Sequence, residues 1–170
     1  MENDVAAWIN TCETCMTRKI TQPKIGVKLK SIEVSGPWEF IAADCLTLPT
    51  STKGNNSVVV FIDYFTKYPE AFAVSDIKAK TIANLLLKEI IPRHGVPKKF
   101  LTDRGSNFTS TLVHEVCSLL AMEKIFTTPY HPQCDGLVER YNRTLVDTLS
   151  KFMQNDEYNW EIYLPFALFA

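Results

Sequence analysis

Two periodicities alternate along this chain. Residues 38–46 (WEFIAADCL) and 56–65 (NSVVVFIDYF) are dense in apolar, β-branched and aromatic side chains, and the turn-forming KGNN lies between them, so both are predicted strands. EAFAV (70–74) follows TKYP closely enough to be the third strand of a meander. The spacing then changes. Ala79, Ile82, Ala83, Leu86 and Ile90 recur at helical intervals, and the predicted helix over 79–93 stops at His94-Gly95, with Pro97 just beyond. KKFLTD (98–103) is a fourth strand, 108–121 a second helix and KIFTT (124–128) a fifth strand. After the loop PYHPQCDG, a long helix over 135–153 carries Leu137, Tyr141, Leu145, Leu149 and Phe152 on one face.

Ahead of this pattern, Val5, Ala6, Trp8 and Ile9 form an apolar stripe on a short helix within residues 1–18. Residues 19–36 read as a linker, and a compact domain occupies 37–170. Three meander strands followed by strands alternating with helices make a mixed α/β layer fold, a five-stranded sheet flanked by helices. The order βββαβαβα is that of the ribonuclease H-like fold.

Composition adds bounds. Of the 170 residues 46% are hydrophobic and 22% charged, which suits a globular protein with a sizeable core. No apolar run approaches the roughly 20 residues of a membrane span, so a membrane is not an expected partner. A net charge of −1 argues mildly against nucleic acid, yet Arg18, Lys19, Lys24, Lys28 and Lys30 form a local basic arm with no acidic neighbour. Five cysteines, an odd number, point to free thiols and one metal motif rather than a disulfide framework.

Acidic residues are depleted in strands, so two positions need a reason. Asp44 interrupts FIAADCL, sharing a face with Phe40 and Ala42 by alternation, and Asp103 closes KKFLTD. Glu139 lies in the first turns of the long helix, after Gly136. Singly, each reads as a solvated strand end or as an acid at a helix start. Brought together they would repel, and their pKa values would rise unless a divalent cation neutralised them. Hard oxygen ligands suit Mg²⁺ or Mn²⁺, and two such ions about 4 Å apart serve phosphodiester chemistry.

LTDRGSNFTS and TTPYHPQCDGLVERYNRTL, with thirty-five residues between Asp103 and Glu139, resemble the second-Asp and Glu motifs of retroviral and gypsy-type retrotransposon integrases. WEFIAADCL and VVVFIDYFTKYPEAFAV fit the same family. The resemblance implies a metal-dependent polynucleotidyl transferase that processes DNA 3′ ends and joins them to target DNA. It makes Asp44, Asp103 and Glu139 the metal ligands and catalytic carboxylates. It places Arg143, one turn beyond Glu139, at a DNA phosphate, with Asn142 beside it and Tyr130 and Gln133 in the loop near the DNA end. The plainer alternative for Arg143 is an ion pair with Glu139 or Asp147. Gly136 would be a hinge for that loop, and Ser106 and Asn107 caps for the next helix. Expected partners are DNA and further copies of the chain, and the expected location is the nucleus, with the cytoplasm as a second compartment.

Cys12-x-x-Cys15 is half of a tetrahedral zinc site. In the resembled family two upstream histidines complete it. None precedes Cys12, so residues 1–18 read as the second half of that domain, with zinc expected only if the missing ligands are supplied. Cys45, Cys117 and Cys134 read as buried or loop thiols. NWEIYLPFALFA resembles the last core helix, cut short. CLTLPTS after Asp44 departs from the family's small-residue stretch with Gly-Pro, which leaves that loop's shape open. A catalytically silent, domesticated or decayed integrase-derived DNA-binding protein is the second reading. A ribonuclease H or exonuclease, needing a fourth acid on another helix, is the third.

Overall fold

The structure, a computed structural model, describes residues 2–12, 34–127, 136–153 and 157–169. An N-terminal helix, α1 (Glu2–Thr11), leaves Val5 and Trp8 exposed. The meander is β1 (Phe40–Thr47), β2 (Ser57–Asp63) and β3 (Pro69–Val74). Next comes α2 (Ala79–Leu85), which runs through a π-helical segment (Leu86–Ile90) into a last turn (Ile91–His94). The remaining elements are β4 (Lys99–Thr102), α3 (Thr111–Leu119), β5 (Glu123–Phe126), α4 (Gly136–Phe152), and α5 (Trp160–Phe169) after a 3₁₀ turn.

The five strands form one mixed sheet in the order β3-β2-β1-β4-β5, antiparallel through β3-β2-β1 and parallel through β1-β4-β5. Short turns join the antiparallel strands, whereas each parallel pair needs a helical crossover, α2 or α3. All seven residues of β2 are buried, because helices cover both faces of the sheet; hence its unbroken apolar run. On one face Phe40, Ala42, Val60 and Leu101 pack with Val138, Leu145 and Leu149 of α4 and Trp160 of α5. On the other, Ile41, Ala43, Phe61 and Phe100 pack with Ile82, Leu86 and Ile90 of α2 and its π segment and Val113 and Cys117 of α3.

Three expectations shift in detail. The stripe that α4 buries is Val138, Asn142, Leu145 and Leu149, rotated from the predicted one, and Phe152 is exposed. Helix α3 starts at Thr111 because Ser110, not Ser106 or Asn107, is its cap: the Ser110 hydroxyl accepts from the Val113 amide at 3.3 Å. Asp103 falls one residue past β4, whose pairing stops at Thr102.

The loop after β1, whose sequence left its shape open, is clamped from outside. The Trp160 indole donates to the Pro49 carbonyl at 2.8 Å, and the Thr52 amide donates to Tyr158 O at 2.9 Å. Ser51 bonds Glu161, and the Thr52 hydroxyl donates to Asn159 at 2.8 Å. At the far end of β2, the fully buried Asp63 accepts from the amides of Trp38, Phe65 and Thr66 and from the Thr66 hydroxyl at 2.6 to 3.2 Å, fixing the turn into β3.

Candidate active site

Parallel pairing of β1 with β4 ends on Ala43 opposite Thr102. The next residue of each chain segment is acidic, Asp44 on β1 and Asp103 after β4. Alternation puts Asp44 with Phe40 and Ala42, and Asp103 with Leu101, on the face that α4 covers. Glu139 is exposed on the first turn of α4, next to the buried Val138. A residue midway along β1, the first residue after β4 and the start of α4 therefore bring three carboxylates toward one another.

The electrostatics record that meeting. Burial pushes the Asp44 carboxyl above its ordinary range, and the negative charges of Asp103 and, more weakly, Glu139 push it further. Two hydrogen bonds pull the other way. Asp44 Oδ1 accepts from the Cys45 amide at 2.7 Å, and Oδ2 accepts from Asn142 Nδ2 at 2.7 Å. The Cys45 thiol is pushed up to about 12, by burial first and then by Asp44 and Asp103, so it stays protonated at neutral pH. It takes a hydrogen bond from Asn107 Nδ2 at 3.4 Å, and Asn107 thereby ties the loop after Asp103 to β1.

Asp103 is fixed by the turn that follows it. Its Oδ1 accepts from the Gly105 amide at 3.0 Å. A Cβ at Gly105 would lie 2.5 Å from Asn107 Oδ1 and 3.0 Å from Asp103 Oδ1, so only glycine fits without moving one of them. Gly105→Ala is expected to displace the Asp103 carboxylate or the Asn107 carboxamide, read as a changed carboxyl chemical shift of Asp103 in NMR spectra. An unchanged shift would show that the turn has slack.

Asn142 stands apart from the expectation that grouped it with DNA contacts. It is 5% exposed and donates to Asp44. Its Oδ1 is buried with no partner among the described residues. The signal was available as spacing, since Asn142 is three residues from Glu139 and so shares its side of the helix. Arg143 is exposed one turn beyond Glu139; among the described residues it pairs with neither Glu139 nor Asp147, and Asp147 is held by Lys151 at 2.5 Å. Tyr130, Gln133, Cys15 and Cys134 lie outside the described residues, while Cys12 follows the end of α1.

Hard carboxylate oxygens suit Mg²⁺ or Mn²⁺ in their chemistry. The set is open, however: among the described residues no three His, Cys, Asp or Glu side chains stand close enough to hold a metal ion. Glu139 is exposed and has the weakest effect on Asp44. A cleft of about 620 Å³ with mixed polar and apolar walls lies between Thr47 at the end of β1, Ile77 and Lys78, and Ser106 and Asn107.

Comparison with known proteins agrees with the fold. The family described as "Integrase core domain" matches residues 35–132, more than half the chain. The Pol polyprotein of Radiation murine leukemia virus (strain Kaplan) is 32% identical over 163 residues, 94% of this chain and 28% of that polyprotein. The Pol polyprotein from transposon 412 of Drosophila melanogaster is 31% identical over 123 residues, 72% of this chain and 10% of its own length. The chain thus spans under a third of these relatives. Among solved structures, the simian T-cell lymphotropic virus intasome superposes with a TM-score of 0.68 at 22% identity, covering 99% of this chain and 60% of that one. The catalytic core domain of BIV integrase gives 0.62 at 27% identity, covering 77% and 81%. With the sheet order, the ribonuclease H-like architecture and the family match in agreement, the chain belongs to the integrase core domain family of retroviral and retrotransposon Pol polyproteins.

Proposed function

We propose that this chain is the catalytic core of a retrotransposon-type integrase, with Asp44, Asp103 and Glu139 as ligands for the divalent ions that DNA 3′-end processing and strand transfer require. The observation that carries this reading is Asp44, held inside β1 against Asn142 of α4, whose carboxyl is raised by burial and by both other acids. Structural acids are normally neutralised by hydrogen bonds or cations, as Asp63 is by four donors.

When bound, Mg²⁺ or Mn²⁺ supplies positive charge to the phosphodiester under attack. The residues of the chain do the rest. Asn142 and the Cys45 amide orient Asp44, the Gly105 amide orients Asp103, and Glu139 closes the set from α4. Arg143, exposed one turn beyond Glu139, would meet a DNA phosphate, and Tyr130 and Gln133 would lie near the DNA end, as the family resemblance implies. The three carboxylates hold ions and need not accept the proton themselves. DNA and further copies of the chain are the proposed partners, in the nucleus. Zinc at Cys12 and Cys15 is proposed only where the missing upstream ligands are supplied.

The test is a disintegration assay, in which a branched DNA is resolved by reversal of strand transfer, run with Mn²⁺ on the parent chain and Glu139→Gln. Product from the parent and none from the variant is the expected result. The open ligand set favours one other reading, a core that binds DNA without joining it. No product from either protein, with Mn²⁺ bound and the fold intact, would select it.

A further inference from the structure

A lysine lies against the core on the face opposite the carboxylates. Lys124, on the outermost strand β5, pairs with Phe100 of β4 and turns its side chain toward the face covered by α2 and α3. Its ammonium sits 4.3 Å from the ring centre of Phe126, 4.6 Å from that of Phe100 and 5.8 Å from that of Phe108. Three phenylalanines around one cation attract it through their ring faces, but they do not replace lost water. Burial accordingly brings the Lys124 ammonium down to about 8, although Cys117 and Asp103 act to raise it. A lysine on an outer strand could reach solvent along its flexible stem. This one folds inward.

What it meets there is Thr102, the last paired residue of β4 and only 1% exposed. Lys124 Nζ donates to Thr102 Oγ1. Thr102 Oγ1 in turn donates to the carbonyl of Asp103 at 2.9 Å. We propose that Lys124 is a positioning residue for Asp103: acting from the back of the sheet, it holds Thr102, and through Thr102 it fixes the peptide at which β4 breaks into the Arg104-Gly105 turn. The inference rests on Asp103 being a metal ligand. Its side chain is held in front by Gly105, and its backbone is held behind by this two-bond relay. Lys124 itself never touches substrate.

Two near-isosteric variants separate the relay from simple packing. Lys124→Met keeps the stem among the rings and removes the ammonium; Thr102→Val keeps the shape and removes the hydroxyl. The measurements are Mn²⁺ affinity by the loss of the free-ion paramagnetic signal, turnover and KM in the disintegration assay, and the melting temperature. Each single variant is expected to weaken Mn²⁺ binding and to lower turnover about tenfold, with the KM for DNA unchanged. The double variant should be no worse than the weaker single, because both remove one path. Lys124→Arg should recover part of the loss.

Parent-like Mn²⁺ affinity in Lys124→Met or Thr102→Val, beside a Glu139→Gln variant that binds Mn²⁺ poorly, would overturn the relay and leave the metal site standing. Losses that multiply in the double variant would also overturn it. A parent chain that binds no Mn²⁺ would remove the metal-site reading and this inference together. If Lys124→Met fails to fold, Thr102→Val carries the test alone.

Discussion

Asp44→Asn is expected to silence DNA joining and to make the fold harder to unfold. The first effect follows from losing a charged ligand: charge stabilisation by a bound divalent ion is worth several kcal/mol in the transition state, or about 10³-fold in rate. The second follows from linkage. Folding raises the Asp44 carboxyl above its ordinary value of 3.8, so the folded chain holds that proton more tightly than the unfolded one. Stability is therefore greatest below the unfolded value and falls as pH rises through the raised folded value. At neutral pH the ionised carboxylate works against folding, and an amide removes that cost. The new amide can also donate to Asn142 Oδ1, buried without a described partner, once the Asn142 carboxamide turns over. The melting temperature of the variant should exceed the parent's at pH 7 and converge with it near pH 3.5. Mn²⁺ should raise the parent's melting temperature and leave the variant's nearly unchanged. A variant that melts lower than the parent at pH 7, or that joins DNA within tenfold of it, would contradict the account.

Trp160→Ala is expected to be the most damaging single change to the fold. Trp160 is fully buried in the core shared by the sheet, α4 and α5, and truncating such a side chain costs about 3–5 kcal/mol. Its indole also satisfies the Pro49 carbonyl, which would lose its partner. For a domain of this size each kcal/mol lowers the melting temperature by about 2–4 °C, so a fall of roughly 10 °C is expected. Trp160→Phe keeps most of the ring and loses only the donor, and should cost less than half as much. Chemical denaturation of both variants measures this directly. A loss under about 1 kcal/mol for the alanine variant would mean that the core closes over the gap. Because Trp160 also clamps the loop that follows β1, the alanine variant should weaken Mn²⁺ binding at Asp44 even where the chain remains folded.

Much of the sheet was legible because burial on both faces writes continuous apolar strands, and β2 is the clearest of them. The carboxylates were legible only in company. Asp63 closes the apolar run of β2 much as Asp103 closes KKFLTD, yet it is a turn anchor with four donors. No local pattern separates the two; what does is the parallel register that sets Asp103 beside Asp44. Asn142 read as one polar residue among several in VERYNRTL, since its partner is 98 residues away. Nothing in KIFTT singled out Lys124, because the rings of Phe100 and Phe108 join that of Phe126 around it only after folding. The cap of α3 was misplaced by four and three residues because Ser106, Asn107 and Ser110 are all plausible cap types.

The pairing of β1 with β4 also determines where this chain can gain or lose residues. A strand repeats every two positions, so deleting one residue between Phe40 and Ala43 would turn Asp44 to the face covered by α2 and α3. Deleting one residue between Lys53 and Asn55 would shorten only a loop tip whose Gly54 already adopts a left-handed turn. Length changes should therefore accumulate among relatives at that tip and be purged from the four residues ahead of Asp44. Substitutions at the same four residues should be confined to apolar side chains of similar volume, since all four are buried in one core or the other.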